Sequence, residues 1–179
     1  MHRQGYDPLA SVQAAGPPGT ISFTYGLPDP ATFPVDDLRQ AADRVFRERP
    51  QLALQYGPEQ GYGPLIDYLR TKLAREEGLE LERPQIMLNG GSSQALDHLC
   101  TIFTRHGDDV LVEAPTYHES IQLLRDHGLQ PLQIPMDNDG LMLDALAERL
   151  EDLDKRRVRS GSGPRKRPLL LYVIPNFQN

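Results

Sequence analysis

Several things that would place this sequence quickly are missing or scarce. In 179 residues there is one cysteine, Cys100, and no tryptophan. A single thiol excludes an internal disulfide framework and fits a reducing compartment, so a cytoplasmic protein is expected. No run of 18 apolar residues occurs, and the opening "MHRQGYDPLASVQAAGPPG" lacks the apolar core of a secretion signal. No membrane partner is expected. The five histidines show no metal-ligand spacing, so no metal is expected either. There is no G-x-S-x-G elbow, and Cys100 falls inside a predicted helix, which speaks against a serine or cysteine hydrolase. Lysine is scarce: only Lys72, Lys155 and Lys166 occur.

Charge excludes less, but it has a direction. The formal net charge is -6, which argues against a nucleic-acid partner. One stretch runs the other way. "KRRVRSGSGPRKR", residues 155–167, holds seven basic residues and no acidic one. A patch of that kind can meet nucleic acid or anionic lipid, but its Ser-Gly-Ser-Gly-Pro centre is linker chemistry without aromatic interleaving. It reads as a solvated loop.

What is present is an alternation. After a Pro/Gly-rich arm and a short β-prone run at Ile21–Tyr25, the spacing predicts a helix over Val35–Glu48, with Leu38, Ala41, Ala42 and Val45 on one side. "LALQYGPEQGYG" reads as a glycine-rich loop. A second helix opens at Pro64 and closes at Gly78, its apolar face built from Leu65, Tyr68, Leu69 and Leu73. From residue 85 the order becomes regular: strand "QIML", helix Ser93–Thr104, strand "DVLVEAP", helix Tyr117–His127, strand "LQPLQIP", helix Leu143–Leu153, strand "PLLLYVIP". Short, continuous apolar strands between helices indicate an α/β fold, a mostly parallel sheet with helices on both faces. Ligands bind such sheets beyond the carboxyl ends of the strands. That rule selects Asn89–Ser93, Glu113–Tyr117 and Pro175–Asn179.

The stretch "MLNGGSSQALDHL" is the most informative. Two glycines let backbone approach a ligand, and two serines then open a helix whose free amides and dipole suit an anion such as phosphate. A helix cap by Ser92 accounts for the same residues, and the stretch alone leaves both open. Tyr117, just past a strand on the same rim, is either packing or a platform for a flat ring.

Five segments in order, "LQYGPEQGYGPL", "GGSSQALDHL", "EAPTYHES", "PMDNDGL" and "YVIPNFQN", resemble the fold-type-I pyridoxal-phosphate aminotransferases of class I/II. Within these, the chain is similar to the 2-aminoadipate, kynurenine and aromatic transaminases. The resemblance implies pyridoxal 5'-phosphate as cofactor, amino acid and 2-oxo acid as substrates, and a homodimer. It implies that Ser92 and Ser93 hold the cofactor phosphate, that Tyr117 stacks on the pyridine ring, and that Tyr56 reaches the phosphate in the partner subunit. Family members often carry Gln where Ser93 stands. Gly26 would line the substrate side of the pocket, and Asn179 would donate to the cofactor's phenolic oxygen. The Schiff-base lysine, the aspartate facing the ring nitrogen and the arginine for the substrate carboxylate would all lie after Asn179. None of the three lysines falls at a strand end, so no catalytic residue is expected among residues 1–179.

The implied organisation is an arm and substrate-side segment over 1–34, helices and a loop with dimer contacts over 35–84, and the first part of the cofactor domain over 85–179. The rest of that domain and a C-terminal small domain would be absent, which makes the chain a fragment. Two rival readings are a ligand-sensing transaminase-like domain of a transcription regulator, and a non-catalytic α/β module for another phosphorylated ligand. The first needs a winged-helix region ahead of the chain. The second leaves the joint occurrence of Tyr56, Tyr117 and Asn179 unexplained. Expressed alone, residues 1–179 are expected to be poorly soluble and inactive, since an unpaired sheet edge would be exposed. Soluble, cofactor-dependent transamination by that polypeptide would overturn the expectation.

Overall fold

The computed structural model describes residues 28–159, 170–176 and 178. The chain divides into two compact units, Met1–Gly57 and Pro58–Asn179.

In the first unit, Asp29 caps a 3-10 turn over Pro30–Thr32 by accepting the Ala31 amide at 2.9 Å. Helix α1 spans Val35–Glu48, the bounds its spacing predicts, with Asp36 and Asp37 in the first turn where the helix dipole favours them. Its face of Leu38 and Val45 is exposed within the described residues. A short helix α2, Pro50–Leu54, follows, with proline in its first turn, where a missing N–H costs nothing.

The second unit opens on a loop and helix α3, Gly63–Glu77, which Gly78 closes as expected. The predicted apolar face is off by part of a turn. Ile66 is the buried residue, while Leu65 and Tyr68 are exposed. Polar anchors set that rotation: Arg70 Nε donates to the Leu81 carbonyl at 2.7 Å, and Asp67 takes both Arg70 and Arg83. The Arg83 guanidinium beside it holds the Asp67 carboxyl below the usual carboxylate range.

The sheet contains strands β1 (Asp109–Ala114), β2 (Gln130–Asp137), β3 (Gly140–Leu141) and β4 (Leu170–Tyr172), in the order β3-β2-β1-β4. β1 is parallel to both β2 and β4, and β3 is an antiparallel hairpin on the end of β2. Helices α4 (Ser92–Phe103), α5 (His118–Asp126) and α6 (Leu143–Arg159) cover it. Side chains alternate across a strand, so β1 serves both faces. Val110 and Val112 pack with Leu96 and Cys100 of α4 and Leu124 of α5. Leu111 packs with Ile134 of β2 and Leu153 of α6. The mostly parallel, doubly covered α/β sheet is thus as expected.

One expected strand is not there. Residues 85–88, "QIML", join no strand among the described residues. A 3-10 turn spans Arg83–Gln85, and the chain then runs extended at Ile86. A strand exists only where a neighbour completes its ladder. Here the glycine-rich loop takes that place: Gln60 Nε2 donates to the carbonyls of Arg83 and Ile86 at 2.6 and 2.7 Å, and the Gln60 carbonyl accepts the Leu88 amide at 3.0 Å. Gly61 lies so close that a β-carbon on it would sit 2.6 Å from Leu88 Cβ. Among the described residues no helix is long and apolar enough to cross a membrane.

Burial ranks the core positions. In the full-length protein, Leu124→Ala is expected to cost about 2–5 kcal/mol, against about 0.5 kcal/mol for the exposed Leu65→Ala. Urea unfolding midpoints measure the difference.

Candidate functional site

The segment held by Gln60 leads straight into the glycine-serine stretch. Asn89 Nδ2 donates to the Met87 carbonyl at 3.3 Å, and the Gly90 amide donates to Gln94 Oε1 at 2.5 Å. Gly91 is the N-cap of α4, with φ 98° and ψ 171°. This left-handed conformation is costly for any residue with a β-carbon. A β-carbon there would meet only open space, so conformation and not crowding requires glycine. The cap position therefore belongs to Gly91, and Ser92 is the first residue of the helix. Ser92 and Ser93 occupy the first turn, exposed, and their hydroxyls make no hydrogen bond among the described residues. The first-turn amides have no carbonyl one turn back to receive them. Hydroxyls and amides together form a donor set open to an anion, with no acidic side chain in that turn.

Chain direction fixes where this donor set lies. α4 ends at Phe103, and residues 104–108 connect it to the start of β1. Twelve helical residues span about 18 Å and six strand residues about 20 Å. Because α4 packs on β1 and runs against it, its N-terminus stands level with the carboxyl end of β1.

At that end Glu113 is buried, 4% exposed, and its Oε2 accepts the Ile174 amide at 2.9 Å and Gln178 Nε2 at 2.8 Å. The Ala114–Pro115 peptide is cis. Thr116 Oγ1 is buried without a partner among the described residues. Tyr117 is the N-cap residue of α5 and 45% exposed. Its hydroxyl donates to the Glu119 carboxylate, and its ring meets His118 edge-on at 5.4 Å. The bond to Glu119 holds the phenol above its ordinary range, with desolvation adding to the same direction. Behind the rim, Ser120 Oγ donates to the Tyr172 hydroxyl at 2.8 Å and ties α5 to β4.

Residues 21–168 match the family described as aminotransferase class I and II. The chain belongs to this family. It is similar to the 2-aminoadipate transaminase of Thermus thermophilus, 40% identical over 162 residues that cover 90% of this chain and 36% of the relative. Among solved structures it is similar to the kynurenine aminotransferase of Pyrococcus horikoshii, in complex with PMP, at a TM-score of 0.73 and 32% identity over 95% of this chain and 39% of that one. The α-aminoadipate aminotransferase of T. thermophilus, complexed with N-(5'-phosphopyridoxyl)-L-leucine, gives 0.69 and 38%, over 87% of this chain and 35% of the other. The chain thus spans little more than a third of these relatives' length.

The structure brings Ser92, Ser93 and Tyr117 to helix starts on one face of the sheet, α4 and α5 both packing against Val110 and Val112. Tyr56 belongs to the first unit and is 99% exposed. Gly26 and Asn179 lie outside the described residues, as do 160–167 of the basic stretch; residues 155–159, expected in a loop, instead continue helix α6, whose i,i+4 ion pairs Lys155–Glu151 and Arg156–Asp152 favour the helix. Lys72 pairs with Glu76 at 3.7 Å and Lys155 with Glu151 at 3.1 Å, both on exposed helix faces, and Lys166 is outside the described residues. No cluster of metal-ligating side chains occurs among the described residues.

Sequence reasoning missed Glu113 and Gln60 as organisers of the rim. Glu113 carried a legible signal, an acid inside a strand buried on both faces. Gln60, in a polar loop, carried none. The Tyr117 pair is open to test: Glu119→Gln replaces the carboxylate with a neutral, weaker acceptor, so the Tyr117 pKa is expected to fall towards about 10. Wild-type-minus-variant phenolate absorbance across alkaline pH reads the shift.

Proposed function

We propose that the protein to which this chain belongs is a pyridoxal-phosphate-dependent aminotransferase, moving an amino group between an amino acid and a 2-oxo acid. The observation that carries this reading is the start of α4: a glycine-capped helix with two serine hydroxyls that make no hydrogen bond among the described residues, and open space beside Gly91. That donor set fits a phosphate dianion, which the dipole of a twelve-residue helix also favours. Membership of the aminotransferase family supports the same group.

In this reading Ser92 and Ser93, with their amides, hold the phosphate. The half-exposed Tyr117 lays its ring against the cofactor ring, with Glu119 fixing its hydroxyl. Asn179 donates to the phenolic oxygen, where a neutral donor tunes the ring without adding a full charge. Gly26 lines the substrate side. Tyr56 reaches the phosphate bound by the partner of a homodimer, a role that suits a side chain left exposed by its own unit. Pyridoxal phosphate, when bound, supplies the electron sink and carries the amino group. The chain's own residues anchor and orient it. The lysine that bonds to it covalently comes from the remainder of the protein, while Lys72 and Lys155 pair with carboxylates one helical turn away on their own exposed helices. Residues 1–34 then form the arm, 35–84 the dimer-contacting helices and 85–179 the opening of the cofactor domain, in a cytoplasmic enzyme.

The serines provide the test. Each hydroxyl–phosphate bond is charge-assisted, so Ser92→Ala is expected to raise the dissociation constant for pyridoxal phosphate about 10- to 100-fold. Ser92→Asp, which sets like charges together, is expected to abolish binding. Ser93→Ala is expected to have a smaller effect, since its amide remains. Equilibrium dialysis of the full-length protein measures all three, and unchanged affinity in both Ser92 variants overturns the reading.

A further inference from the structure

Glu113 is an acid where the fold would accept an apolar residue. Its strand neighbours Val110, Leu111 and Val112 are fully buried, and taking a carboxyl group out of water is costly unless it is bonded. Both of its donors come from one distant segment, 61 and 65 residues downstream. The register explains why. The parallel ladder between β1 and β4 ends at the pair Val112–Tyr172. Beyond that pair the Ile174 amide goes to the Glu113 side chain. Gln178 returns to the same oxygen, its Nε2 also lying 3.4 Å from the Pro115 carbonyl and 3.8 Å from Met136 Sδ.

We propose that Glu113 is a positioning residue: its carboxyl group takes over from the main-chain ladder and sets the path of the chain from Ile174 to Gln178 across the carboxyl end of β1. The consequence for the cofactor rests on the aminotransferase reading, in which the next residue, Asn179, meets the phenolic oxygen. A side-chain clamp suits this place better than continued strand pairing, because a strand would carry the segment straight on past the rim.

The test uses the full-length holoenzyme with Glu113→Ala, Glu113→Gln and Gln178→Ala. Glu113→Ala is expected to speed hydrogen exchange at the Ile174 amide roughly ten-fold or more, with exchange in β2 unchanged. It is also expected to shift the visible absorption band of bound pyridoxal phosphate. Glu113→Gln retains an oxygen for the Ile174 amide and should restore most of its protection, even if the alanine variant fails to fold. Gln178→Ala removes one of the two bonds to the carboxyl group and leaves the Ile174 amide its acceptor, so it is expected to speed exchange at Ile174 less than Glu113→Ala does. Unchanged exchange at Ile174 overturns the inference. So does faster exchange spread equally over β1 and β2, the mark of a residue that only stabilises the core. Faster exchange with an unshifted band overturns the role at the cofactor. If the wild-type protein binds no pyridoxal phosphate, the aminotransferase reading fails, and exchange at Ile174 alone decides the clamp.

Discussion

Everything in the second unit depends on β1 being covered on both faces. Four consecutive residues, Val110 to Glu113, are buried, so neither side of the strand is left to water. A strand of that kind cannot end a structure or lie on its surface. It needs neighbours along both edges and helices above and below, and β2, β4, α4, α5 and α6 supply them. Parallel pairing then forces each connection to return to the same end of the sheet. As a result strand exits and helix starts collect at one rim, and Ser92 and Tyr117 share it.

At that rim the hydrogen-bond ladders stop, and the backbone groups they would have paired need other partners. Side chains provide them. Gln60 takes two carbonyls ahead of the glycine-serine turn, Gln94 takes the Gly90 amide, and Glu113 takes the Ile174 amide. These bonds lie one residue or a few away from the groups that would meet a ligand. Among the described residues they leave the hydroxyls of Ser92 and Ser93 and the open side of Gly91 uncommitted. The loops are thereby ordered before anything binds, which lowers the entropic cost of binding.

Periodicity was most legible where a segment supplies its own hydrogen bonds. α1 has the bounds its spacing predicts, and α4 and α5 differ from expectation by one residue at each end. The failures share a cause. Residues 85–88 have a strand's composition but no strand to pair with among the described residues, and the face of α3 was misplaced because its Arg70 and Asp67 are held by Leu81 and Arg83 outside the helix. In both cases the deciding partner is distant in sequence. The helix cap was undecidable for a related reason. Gly91 and Ser92 are both acceptable caps, and only the backbone angle at Gly91 assigns the position.

By itself, then, the sequence determined the α/β alternation, the helix starts to within about a residue, and which residues are candidates for a phosphate and a flat ring. Those features are local, following from periods of two and 3.6 residues and from the chemistry of single side chains. Tertiary structure alone decided that Ser92 is free of the cap, that Tyr117 leans on Glu119, and that Gln60 and Glu113 hold the two loops on either side of the rim. The Gln60 and Glu113 bonds join residues 23 to 65 apart in the chain, separations that carry no periodic signal. The Glu113 bonds exist only once the covered strand has β4 beside it.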